Sequence, residues 1–147
     1  MIIDDRSEFA DAAALATAGT GLQLVGDVVD LTKTSSDIGN GEGATLVIQV
    51  DTAFTSGGSA TVAFSLASDA QAAIAVDGSA SVHFSTSAIP VANLTAGTTV
   101  ATVKLPLGSY ERYLGILANV GTAALTAGKI NAFLTFEPSK WQATATS

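Results

Sequence analysis

Apolar residues recur at every second position along most of this chain, the spacing of strands that bury one face and expose the other. Over residues 45–51 the repeating set is Leu46, Ile48 and Val50. Over residues 60–67 it is Val62, Phe64 and Leu66, introduced by Ser56, Gly57, Gly58 and Ser59, which turn a chain readily. Residues 81–85 follow an Asp77-Gly78 turn signal and predict Val82 and Phe84 inward, with His83 on the other face. Residues 98–105 offer Ala101, Val103 and Leu105, and Pro106 ends that strand because proline cannot donate to a ladder. Over residues 22–31 the phase changes between Leu22 and Leu24 on one side and Val29 and Leu31 on the other, so Gly26 reads as a bulge or bend. Residues 112–120 and 129–136 supply two more strands, and an eighth is expected from residues 89–94 or from the N-terminus.

The last two strands predict a hairpin. Matching their apolar faces sets Leu114 opposite Phe136, Ile116 opposite Leu134, Ala118 opposite Ala132 and Val120 opposite Ile130, because a slip of one residue would expose them all. The same register sets Leu117 across from Phe133 on the outward face. With Tyr113 beside them, that face needs a cover, either a loop or N-terminal segment of the same domain or a partner chain.

Helix signals are few. Ser68-Asp69-Ala70-Gln71 has a capping-box pattern before Ala72, Ala73 and Ile74, enough for one or two turns. Alanine-rich residues 11–18 could add another short turn. Seven or eight short strands with so little helix predict an all-β protein, a jelly-roll-type antiparallel β-sandwich of about eight strands with an N-terminal arm. The expected division is an arm over residues 1–20 and a jelly-roll domain over residues 21–147. At 147 residues, one domain is the default.

Composition narrows the functions. Thirteen acidic against six basic residues give a net charge of -7, which repels nucleic-acid phosphates, so no nucleic acid is expected as a partner. Only 13% of residues are charged, about half the usual share, and Ala, Gly, Ser and Thr dominate. Such a surface is cheap to desolvate against other proteins, although Ala-rich strands facing solvent would look the same. The mean hydropathy is +0.44, yet no run reaches the roughly 18 apolar residues of a spanning helix, so no membrane partner is expected. Acids stand in the N-terminal segment where a secretory signal has bases, which predicts synthesis in the cytoplasm.

Candidate chemistry is thin. The chain has no Cys and one His, which rules out a disulfide framework and any metal site built on two imidazoles. Residues 38–43, IGNGEG, lack the Lys of a phosphate loop and the spacing of a dinucleotide fold, so they read as a turn. His83 with Ser81 or Ser85 could pair a base with a nucleophile, but no placed acid or elbow motif accompanies them. Asp4, Asp5, Glu8 and Asp11 match no calcium-loop spacing and read as a solvated or partner-facing segment. Trp141, the single Trp, is a weak basis for a sugar platform. No catalytic residue, metal or cofactor is expected, and the chain is not expected to be an enzyme.

The run SYERYLGILANVGTAALTAGKINAFLT, residues 109–135, resembles the C-terminal signature of capsid cement, or decoration, proteins of short-tailed bacteriophages. MIIDDRSEFADA at the start, LVIQVDTAFTSGGSATVAFSLASDAQAAI in the middle and VHFSTSAIPVANLTAGTTV after it are similar to the same family, so the likeness spans nearly the whole chain. The resemblance implies a jelly-roll subunit on the outer surface of an icosahedral capsid, part of the virion, bridging major capsid proteins against internal DNA pressure. It implies no cofactor and carries no named functional residue. A glycan-binding or host-attachment module is the alternative, since jelly rolls also serve as lectins.

Partner contacts are inferred from composition. Ile2, Ile3 and Phe9 are apolar where a chain end normally frays, beside Asp4 and Arg6, and predict an arm that docks on a neighbour. The outward Tyr113, Leu117 and Phe133 form a second candidate strip. The expected partners are the major capsid protein and further copies of this chain, with a homo-dimer favoured over a trimer.

Overall fold

The structure is a computed structural model that describes residues 8–15, 19–31, 44–106 and 109–135. Among the described residues nine strands follow one another: β1 (Glu8–Ala14), β2 (Gly21–Asp30), β3 (Thr45–Ser56), β4 (Thr61–Asp69), β5 (Ser81–Ser85), β6 (Ile89–Pro90), β7 (Thr99–Lys104), β8 (Tyr113–Gly121) and β9 (Leu125–Thr135). One sheet has the order β1-β9-β3-β7 and the other β2-β8-β4-β5, with the two-residue β6 also on β4. Every pairing is antiparallel. The chain changes sheet at each connection except those from β4 to β5 and β5 to β6, which is the jelly-roll topology.

The apolar sets read from the sequence form the core between the sheets. Leu46, Ile48 and Val50 of β3 meet Val62, Phe64 and Leu66 of β4, with Leu114, Ile116, Ala118 and Val120 of β8 and Ile130, Ala132 and Leu134 of β9. Phe54 stacks on Phe64 with ring centroids 6.2 Å apart. Fully burying each large side chain contributes about 1.5–3 kcal/mol, which is what keeps the inward phase of every strand fixed. Gly128 lets β9 pass under Phe54, since a Cβ there would lie 1.5 Å from the ring.

The expected hairpin does not form. β8 and β9 follow each other in sequence but lie in opposite sheets, so their apolar faces meet across the core and not side by side. β9 pairs with β1 and β3, with Ala132 beside Ala10 and Ile48, while β8 pairs with β2 and β4. Phe136 lies outside the described residues.

Residues 1–20 are not an arm throughout. From Glu8 onward the chain is β1, paired to β9 through Glu8 and Phe133, Ala10 and Ala132, and Ala13 and Ile130. Phe9 and Leu15 belong to the core. Gly26 has φ +69°, and a Cβ there would sit 2.1 Å from the Phe9 carbonyl oxygen, so only glycine lets β2 close against β1 at this corner. The register of β2 on β8 shifts between Val25 and Val29, as the change of apolar phase requires.

Neither short helix forms among the described residues. Asp11 to Ala14 continue β1. Ser68 ends buried in β4, so its hydroxyl is not free to cap, and the Asp69 carboxylate instead accepts the Gln71 and Ala75 N–H groups, at 3.1 and 3.0 Å, to hold an irregular loop. In β5, Phe84 pairs with Leu66 and Val82 with Ala67, leaving His83 as a bulged residue. Phe84 therefore packs on the core while Val82 turns outward and is 56% exposed, unlike the inward position expected from alternation.

Candidate functional site

The charged stretch before β8 fastens the end of the sandwich. Arg112 donates from Nε and Nη2 to the two carboxylate oxygens of Asp30, both at 3.1 Å, and its guanidinium lies 4.9 Å from the centre of the Tyr113 ring. The Leu31 N–H donates to the Arg112 carbonyl at 2.9 Å, so β2 is tied to β8 by backbone and side chain together. The Glu111 N–H donates to Ser68 Oγ at 3.2 Å, and its carboxylate accepts the Ser81 hydroxyl at 2.7 Å. Tyr110 donates its hydroxyl to the Pro106 carbonyl and lays its ring on His83, centroids 4.2 Å apart.

His83 Nε2 lies 2.7 Å from Ser68 Oγ, a spacing that a nucleophile and its base would share. Neither Ser81 nor Ser85, the serines next to it in sequence, is its partner. Ser68 is fully buried and its oxygen already accepts the Glu111 N–H, so no substrate atom reaches it. The arrangement that uses every group has neutral His83 accepting the Ser68 proton. Burial holds His83 below its ordinary pKa of 6.5, with Glu111 pulling weakly the other way. This is a polar pin joining β4, β5 and the lead into β8.

The outward face of β8 is covered from within the domain. Leu117 is 1% exposed, packed with Ala67 and Ile74 and flanked by Leu22, Leu24, Val28 and Ala80. Ile74 comes from the loop of residues 70–80 and presses onto Gly115, where a Cβ would lie 2.6 Å from its Cδ1. Leu117 is therefore interior and not a partner contact. The sequence signal for this cover was Gly115 itself, a gap in an otherwise bulky strand. Tyr113 is half-buried, with the Arg112 guanidinium over its ring.

Phe133 lies on the outer face of the other sheet, so it does not face Leu117. It is 8% exposed beside a cavity of about 170 Å³ that it lines with Glu8, Ala10, Asp11, Gln49 and Asn131. Asn131 Oδ1 accepts the Ala12 N–H at 2.6 Å, holding the irregular turn of β1 against β9. Phe9 is in the core, 1% exposed, and is not a docking residue. Ile2, Ile3, Asp4 and Arg6 lie outside the described residues.

Charge is unevenly placed. The loops at one end of the sandwich, residues 19–20, 57–60, 86–98 and 122–124, contain no charged residue. At the opposite end the described residues carry Glu8, Asp30, Asp69, Asp77, Lys104, Glu111 and Arg112. Among the described residues no group of His, Asp and Glu is arranged to hold a metal ion, and no helix is long and apolar enough to cross a membrane.

A family model described as Bbp16 matches residues 9–134. No curated protein matches the chain.

Proposed function

The chain belongs to the Bbp16 family, a phage-related family, and from that premise we propose that it is a structural virion protein, a capsid cement protein on the outer surface of an icosahedral phage head. The observation that carries this reading is the coincidence of two boundaries: the family match over residues 9–134 and the jelly roll that runs from Glu8 to Thr135. The family likeness is thus a likeness of the whole sandwich. The similarity of SYERYLGILANVG and its neighbours to decoration proteins supplies the finer assignment, and the low charge of the surface suits a subunit packed among other proteins.

The mechanism is mechanical. Packaged DNA pushes outward, and a subunit that grips two or more major capsid proteins adds contacts that an expanding shell must break. Each contact can be weak, because the second one forms at the high effective concentration set by the first. No catalytic step is involved, and the buried Ser68–His83 pair has a structural role. A homo-dimer suits a symmetric bridge. Its seat would be the uncharged loop end, where two copies of net charge -7 can meet without apposing carboxylates.

The test is binding to purified heads that lack the protein. Added protein should be retained at a fixed ratio to capsid subunits and should raise the temperature at which heads release DNA. Heads that neither retain it nor gain stability would refute the assignment.

A further inference from the structure

Two large apolar side chains are left exposed among the described residues: Val76 at 46% and Val82 at 56%. Val76 lies in the β4–β5 connection and Val82 in β5 just after it. Val82 pairs with Ala67 on the outer face of the sheet, and Val76 follows Ala75, whose N–H is bound to Asp69 two residues further along β4. Val82 thus sits across from Ala67, and Val76 two residues past Ile74, both members of the cluster that covers Leu117.

Carboxylates are fixed around this pair. Asp69 accepts two backbone N–H groups of the loop. Asp77, next to Val76, accepts the Ser79 N–H at 2.9 Å and its hydroxyl at 2.6 Å. Glu111 accepts the hydroxyl of Ser81, the neighbour of Val82. These bonds favour the ionised forms, so Asp69 and Asp77 are held below the ordinary carboxylate pKa. Of the two cations at this end among the described residues, Arg112 is already bidentate on Asp30, and Lys104 ends β7 of the other sheet.

We propose that Val76 and Val82 form a docking patch for a protein surface that offers an apolar contact flanked by Lys or Arg, and that this patch is not a contact between copies of the chain. Charge complementarity selects the occupant. A two-fold pairing of copies would set Asp69, Asp77 and Glu111 against themselves, which is repulsive at close range, whereas a basic rim neutralises all three. The contact is made by side chains and not by strand addition, because β5 is a five-residue edge strand kinked by its His83 bulge, and such edges resist pairing. Resting on the cement reading above, the proposal identifies the occupant as a capsid surface.

The test uses the full chain, purified heads lacking it, and the double variant V76S/V82S. Both sites are exposed, so the variant should melt at nearly the wild-type temperature and keep the wild-type oligomeric state by light scattering. Its retention on heads should fall by at least about tenfold, close to 1.4 kcal/mol. Wild-type retention should weaken as salt rises from about 0.05 to 0.5 M, since a rim ion pair is screened. Wild-type binding with unimpaired binding by the variant overturns the docking patch alone. A variant that loses self-association, or wild-type binding that salt leaves unchanged, overturns the choice of occupant. A wild type that does not bind heads overturns the cement reading and this proposal with it.

Discussion

Replacing Leu117 by Ala separates an interior residue from a partner contact. Leu117 faces away from the main core, yet it is 1% exposed beneath Ile74 and beside Ala67 and Leu24. Buried Leu to Ala changes cost about 2–5 kcal/mol, rising with the cavity that survives. Here the roof is an irregular loop that can settle into the space, which sets the expectation at the low end, about 2–3 kcal/mol. For a chain of this size that is a fall in melting temperature of about 5–10 °C. Urea unfolding should show a lower midpoint with an unchanged slope, because the surface exposed on unfolding is nearly the same. Ile74 to Ala should cost a similar amount, and the double change should cost less than the sum, with a coupling of at least about 0.5 kcal/mol. A Leu117 to Ala variant that melts within about 0.5 kcal/mol of wild type, with no coupling to Ile74, would refute the internal cover and return Leu117 to the surface.

Gly128 to Ala should be severe, at or beyond the upper end of the about 1–3 kcal/mol usual for overpacking, because the added methyl overlaps the Phe54 ring; thermal melts of this variant and of a Phe54 to Leu, Gly128 to Ala pair should show partial rescue in the latter. His83 has a folded pKa below its ordinary 6.5, so its contribution to stability is complete above that value and is lost as pH falls through it towards the folded pKa. Denaturant midpoints at about pH 8 and pH 5 should therefore differ more in wild type than in His83 to Gln. A chain beginning at Glu8 should keep β1 and its core, whereas deleting residues 1–9 also removes Phe9 and should cost about 3–5 kcal/mol in the same melts.

Much of the sandwich was legible because burial imposes period two wherever one face is wet. Residues 81–85 coincide with β5, and the bend at Gly26 was visible as a change of phase across it. Which strands pair was not legible. The expected hairpin came from the adjacency of β8 and β9 in the chain, and consecutive strands often do pair. A jelly roll changes sheet at nearly every connection, so the fold class predicted from the same sequence already excluded that hairpin. The covers were hidden for a related reason. Ile74 reaches Leu117 across 43 positions through a loop without periodicity, and Ser68 meets His83 only once a bulge turns the imidazole inward. Phe9 looked like a docking residue because chain ends usually fray, and local pattern does not show that β1 completes a sheet.

A density map of the intact phage head is the most direct test of the assignment. It should show the nine-stranded jelly roll on the outer surface of the shell, each copy touching at least two major capsid subunits, with the Val76 and Val82 end of the sandwich against a basic-rimmed capsid surface. A map in which the jelly roll lies inside the shell, in the tail, or on a single capsid subunit without bridging would contradict it.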